Sequence, residues 1–296
     1  MPPVAVTMGD PAGIGPDIAL QSWSLRDLHA LHPFAVYGDA DVLRERARGL
    51  NLDVPVIGID QVADATRVFA AALPVVPLDS AAGRHAAARR PPAADALIAA
   101  AIVAATADVL GGKVLAMVTN PIAKRSLQAV DLPYPGHTAF LGQLAEQHTG
   151  RAPIRPVMML AAPALRVVPA TVHIPLLAVP RALTRTLILE TTRITAHALV
   201  RDFAIPRPRI AIAGLNPHAG EEGLIGREEM DVIEPAIAEL QAELAAEGIS
   251  VTGPYSADSL FHAEARRDYD AAIAMYHDQA LIPLKTLAFD AGVNVT

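Results

Sequence analysis

Three histidines stand at the same kind of place in this chain. VVPATVH ends in His173, IAIAGLNPH in His218 and AAIAMYH in His277, and each is the first ring-bearing polar residue after a β-rich run. Each lies near a residue that restricts the backbone or adds charge: Pro175, Pro217 or Asp278. Their wide separation excludes a local finger-type metal site. Three imidazoles with open coordination positions suit a catalytic divalent cation such as Zn²⁺, Co²⁺ or Ni²⁺, and Mg²⁺ less well. Asp258, in GPYSADSLF, follows another short β-like run, and Asp278 adjoins His277. A carboxylate there could ligate the cation, orient a histidine or accept a proton. For Asp258 a helix N-cap or turn role is an equal alternative. His29, His32, His85, His148 and His197 sit in helical or loop surroundings without this pattern.

A second set of residues suits anions. The chain has three lysines, Lys113, Lys124 and Lys285, among 24 basic residues. Lysine, unlike arginine, can lose its proton when partly buried, so Lys285, just behind His277 and Asp278, is a candidate for binding or proton transfer. YPGHT places His137 and Thr138 at an expected helix start, where backbone N–H groups favour anions. VTNPIAK puts Lys124 in a similar strand-to-helix setting. GDPAGIGPD reads either as a loose phosphate loop or as a tight strand-to-helix turn. It has neither the GxGxxG nor the GK[ST] spacing, so a dinucleotide fingerprint is absent.

The elements that must position these residues alternate. Apolar runs at 4–8, 34–38, 114–119, 209–215 and 271–276 are expected strands, and 92–110, 179–201 and 229–247 expected helices. This alternation predicts βαβ units around mainly parallel strands, with ligands beyond the strands' carboxyl ends. Residues 157–170 read as a hairpin or antiparallel edge about Ala162-Pro163, and 78–92 as a loop. The chain of 296 residues is 52% hydrophobic and 19% charged, which fits a large packed core. A net charge of -7 argues against a nucleic-acid or anionic-membrane partner. With no cysteine, disulfides and thiolate ligands are excluded. The N-terminus lacks the basic region of a signal peptide, and alanine-rich 92–112 carries Asp95 and Asp108, so it reads as a core helix. A cytoplasmic location is expected.

MGDPAGIGPD, TNPIAK, YPGHT, VHIPL, NPHAGEEGLIG, GPYSADSLF and MYHDQALIPLK, in this order and spacing, resemble the 4-hydroxythreonine-4-phosphate dehydrogenase family of pyridoxal phosphate biosynthesis over the whole chain. The resemblance implies an α/β fold of two α/β/α domains, similar to isocitrate and isopropylmalate dehydrogenases, with an interdomain active-site cleft. The expected division is 1–128 with 282–296, and 129–281. It implies a homodimer with shared active sites, and His173, His218 and His277 as metal ligands. His137, Thr138, Lys285 and Asn294 would contact a small phosphorylated hydroxy amino acid, and Lys285, Asp258 and Asp278 would serve catalysis. NAD or NADP and a divalent metal (zinc, cobalt or magnesium) are the implied cofactors. The main nucleotide loop is expected beyond Thr296. The implied reaction oxidises 4-phosphohydroxy-L-threonine and then decarboxylates it to 3-amino-2-oxopropyl phosphate. Related dehydrogenases of four-carbon sugar-acid phosphates or dihydrodiol dicarboxylates are the near alternatives. A metal-dependent hydrolase or a non-catalytic phosphate-binding protein would use the same residues.

Overall fold

The computed structural model describes residues 1–78, 92–122 and 137–296. The chain divides into two compact units, Met1–Arg155 and Pro156–Thr296.

The first unit is built on a five-stranded parallel sheet of order β3-β4-β2-β1-β5. Its strands are β1 (Val4–Thr7), β2 (Phe34–Gly38), β3 (Val56–Gly58), β4 (Leu73–Pro77) and β5 (Met117–Thr119). FAVYG is buried throughout, because a parallel strand covered on both faces carries apolar residues at every position. The expected strand at 114–119 shortens to Met117–Thr119, which among the described residues is an edge strand paired with β1. Helix Gly15–Ser24 starts with Pro16 in its first turn. GDPAGIGPD is a tight turn: a Cβ on Gly15 would meet the Met8 carbonyl at 2.2 Å. Arg46 braces this turn, donating to the carbonyls of Pro11 and Gly13. Helix Ala40–Gly49 is capped by Asp39, whose carboxylate accepts from Asp41 N and Val42 N. Helix Pro92–Leu110 buries Ala101 and Ala105 beside the sheet and packs Ile98 and Ile102 against Phe140 of helix His137–Thr149. No helix among the described residues is long and apolar enough to cross a membrane.

The second unit carries a six-stranded mixed sheet of order β11-β6-β7-β10-β8-β9. Its strands are β6 (Met159–Ala162), β7 (Leu165–Pro169), β8 (Arg209–Ala213), β9 (Ser250–Tyr255), β10 (Ala271–Ala274) and β11 (Val293–Val295). The expected hairpin is present: β6 and β7 pair antiparallel with Ala162 opposite Leu165. β7, β10, β8 and β9 are mutually parallel. The expected helix at 179–201 is two helices, Val179–Ala182 and Arg185–Arg201. Thr184 caps the second, its hydroxyl accepting from Leu187 N, and this ends the first. The expected helix at 229–247 opens with a wide turn at Glu229–Ile233 before helix Glu234–Leu244. Residues 282–296, expected with the first domain, lie with the second unit instead. Helix His277–Ala288 packs on β6 and β7, and β11 extends the sheet through its pairing with Met159–Ala161.

Candidate active site

Strand order explains why three distant histidines come together. β10 lies between β7 and β8, and β9 flanks β8, all parallel, so their carboxyl ends open on one edge of the sheet. Along that edge His173 follows β7, His277 follows β10, His218 follows β8 and Asp258 follows β9. Adjacent strands lie roughly 4.8 Å apart. In keeping with this, the His173 and His277 rings stand side by side with centroids 5.5 Å apart.

Each side chain has its own support. His277 opens helix His277–Ala288, and its Nδ1 is 2.7 Å from Asp278 Oδ1. A carboxylate on Nδ1 orients the ring and leaves Nε2 free to bind. His173 is exposed and has a left-handed backbone at φ 49°. His218 starts a run of five left-handed residues, His218 to Glu222. Such geometry costs roughly 1–2 kcal/mol per non-glycine residue. Strain of this kind persists only where surroundings over-determine it, and it concentrates at functional sites. Glu229, 1% exposed, supplies the constraint. Its Oε1 accepts from Leu215 N and Asn216 N, each at 2.7 Å, and its Oε2 accepts from Asn216 Nδ2 at 2.9 Å. Asn216 Nδ2 also donates to Glu228, a bond that holds the Glu228 carboxyl below its ordinary pKa. Asp258 lies in the short helix Ala257–Leu260, and the Ser256 hydroxyl donates to its Oδ1 at 2.6 Å. That bond first, then Ser259 N–H and the charge of His218, holds the Asp258 carboxyl below its ordinary range.

An open groove of about 390 Å³ runs from His277 and Asp278 past Leu281 and Ile282 to Lys285 and Thr286. Lys285 lies eight residues beyond His277, roughly 12 Å along the helix axis. It is exposed, with Nζ 6.0 Å from the Phe289 ring centroid. Asn294 is exposed on β11, opposite Leu160. Thr138 is half-buried in the first turn of helix His137–Thr149. The His137 side chain, Lys124, residues 79–91 of the expected loop at 78–92, and residues 134–136 lie outside the described residues.

The edge thus aligns His173, His277, His218 and Asp258, but among the described residues no three histidine or acidic side chains close on one point. The donor set nevertheless fits a borderline divalent cation. It offers imidazole nitrogens, one of them pre-oriented by a carboxylate, and no thiolate. The sequence reading missed Glu229, Gln279 and Ser256. Glu229 was detectable, because it falls in phase with the buried stripe Ile233, Ile237 and Leu240 where an apolar residue is expected.

A parallel-strand edge bearing histidines and carboxylates beside an open groove defines an α/β enzyme scaffold. A family model described as "Pyridoxal phosphate biosynthetic protein PdxA" matches residues 30–296. A 4-hydroxythreonine-4-phosphate dehydrogenase of Methylorubrum populi is 50% identical over 295 residues, covering 99% of this chain and 83% of that protein. The crystal structure of a 4-hydroxythreonine-4-phosphate dehydrogenase from Burkholderia phymatum is similar at a TM-score of 0.85 and 33% identity, covering 100% of this chain and 86% of that one. A terephthalate 1,2-cis-dihydrodiol dehydrogenase from Burkholderia xenovorans LB400 is similar at 0.68 and 27%, covering 99% and 85%. The chain belongs to the PdxA family.

Proposed function

We propose that this chain is a decarboxylating oxidoreductase of pyridoxal phosphate biosynthesis. It oxidises the secondary alcohol of 4-phosphohydroxy-L-threonine with NAD or NADP, and the keto acid then loses CO₂ to give 3-amino-2-oxopropyl phosphate. The observation that carries this reading is the ordered edge His173, His277, His218 and Asp258 in a chain that is 50% identical to a 4-hydroxythreonine-4-phosphate dehydrogenase. The nicotinamide ring is the two-electron acceptor that oxidation of an alcohol requires. A divalent cation bound by the three histidines would lower the pKa of the substrate hydroxyl and stabilise the charge that develops on loss of CO₂.

The protein's own groups do the rest. Asp278 holds His277 with Nε2 outward. Asp258 stays ionised because Ser256 donates to it, which suits it to holding positive charge beside His218 rather than to storing a proton. Lys285 lines the groove two helical turns from His277 and would hold the substrate's phosphate. His137, Thr138 and Asn294 are the further substrate contacts that the family resemblance implies. The active form is a homodimer that shares its sites.

The whole-chain similarity of 0.85 to a 4-hydroxythreonine-4-phosphate dehydrogenase, against 0.68 to a dihydrodiol dehydrogenase, ranks the phosphorylated substrate first. The test is formation of reduced nicotinamide, followed by absorbance, with 4-phosphohydroxy-L-threonine, D-threonate 4-phosphate and a dihydrodiol dicarboxylate in parallel. Turnover of the first alone, abolished by chelation and restored by metal, is expected. Turnover of another alone would keep the chemistry and change the substrate. No turnover by a dimeric, metal-loaded protein would remove the dehydrogenase reading.

A further inference from the structure

Buried polar side chains of the second unit join the histidine-bearing segments by continuous hydrogen bonds. The Thr171 hydroxyl, two residues before His173, donates to the Met275 carbonyl at 2.7 Å. Met275 N–H, two residues before His277, donates to Gln279 Oε1 at 2.6 Å. Gln279 Nε2 donates to the Gly214 carbonyl at 2.8 Å. The next group along that peptide, Leu215 N–H, donates to Glu229 Oε1. Gly214 N–H donates to the Tyr255 carbonyl at the end of β9, on the Asp258 side. Gln279 and Glu229 therefore grip one peptide plane, Gly214–Leu215, from both ends. That plane leads directly into the left-handed turn that carries His218.

We propose that Gln279 and Glu229 are positioning residues: together they clamp the Gly214–Leu215 peptide and so fix the left-handed turn that presents His218 for cation binding. The inference rests on the cation-site reading above. Both side chains are buried, at 8% and 1% exposure, so water does not replace a lost partner. Their roles are chemically directional. Gln279 must accept from Met275 N–H with one end and donate to Gly214 with the other. A glutamate there would turn a carboxylate oxygen against the Gly214 carbonyl. Glu229 must accept with both oxygens, because a glutamine would set an N–H against the amide of Asn216. The packing is tailored to the same carboxylate: a Cβ on Gly220 would come within 2.6 Å of Glu229 Oε2.

The experiment is a cobalt(II) titration of the full chain, read by the visible ligand-field spectrum, on wild type, Glu229→Gln and Gln279→Glu. Thermal unfolding of each metal-free protein is measured beside it. Thr195→Val, which removes a buried hydroxyl that donates to Thr191 O within its own helix, reports the effect of general destabilisation. The proposal expects each clamp variant to bind cobalt roughly ten- to a hundredfold more weakly with an altered spectrum. It expects the double variant to lose less than the product of the single losses, because both grip one peptide. Thr195→Val lowers the melting temperature and leaves the cobalt curve unchanged. Clamp variants that melt earlier but bind cobalt as wild type does would overturn the positioning role. Wild-type protein that binds no cobalt would instead remove the cation site itself. If one clamp variant fails to fold, the other carries the comparison.

Discussion

Replacing Gly220 by alanine probes the turn that holds His218. Gly220 has φ 81° and is buried, and a Cβ there would approach Glu229 Oε2 to 2.6 Å, Glu229 Cδ to 3.1 Å and the Gly226 carbonyl to 3.2 Å. Two contributions follow. Alanine in the left-handed region costs about 1 kcal/mol more than glycine. Forcing a methyl group onto an immobile, hydrogen-bonded carboxylate adds about 1–3 kcal/mol. The expected destabilisation is about 2–4 kcal/mol, a fall of roughly 5–15 °C in apparent melting temperature for a body of this size. Gly150→Ala is the internal reference. Its φ is 67°, yet nothing lies within 4 Å of the added Cβ, so only the conformational contribution applies. The assay is thermal unfolding by circular dichroism, with cobalt affinity measured on the folded proteins. Equal melting shifts for Gly220→Ala and Gly150→Ala would refute the claim that the turn is wrapped tightly on Glu229.

Asp278→Asn leaves His277 in place but weakens its orienting acceptor. Because Asp278 is 71% exposed, cobalt affinity falls only about tenfold, at the low end for such partners, with little change in melting temperature. Lys285→Arg keeps a fixed positive charge and Lys285→Met removes it. If Lys285 holds phosphate, arginine raises KM modestly with kcat nearly preserved, while methionine raises KM strongly. A collapse of kcat in both variants would make it a proton-transfer group. Asp270 is raised by burial but more strongly lowered by the Arg209 guanidinium and backbone N–H, so its folded pKa lies below the unfolded value. The stability it adds is present above the unfolded carboxylate pKa, near 4, and is lost as pH falls through the folded value. Asp270→Asn therefore destabilises by about 2 kcal/mol at neutral pH and much less in strong acid. Denaturation midpoints at the two pH values check this.

What was legible in the sequence follows the physics of each element. Strands buried on both faces, such as FAVYG and AAIA, announce themselves as continuous apolar runs. β3 and β4 are obscured because each is short and prolines interrupt them, Pro55 just before β3 and Pro74 within β4. The helix after β10 is disguised by Pro283 in its interior. The three histidines were readable because each ends an apolar run, and parallel strands then place such ends on one edge. Their spatial order was not readable, since it depends on β10 inserting between β7 and β8. The clamp was hidden for a similar reason: Gln279 and Gly214 are 65 residues apart, and no local pattern links them. Local geometry also escaped notice. Within NPHAGEEGLIG, His218, Ala219, Glu221 and Glu222 all take left-handed conformations that glycine alone adopts freely.

The most direct test of the account is X-ray absorption spectroscopy of the cobalt-loaded protein, which counts imidazole ligands at the metal. The account predicts three imidazole nitrogens at roughly 2.0–2.1 Å, falling to two in each of His173→Ala, His218→Ala and His277→Ala. A shell of oxygen ligands alone, or one unchanged by these substitutions, would contradict it.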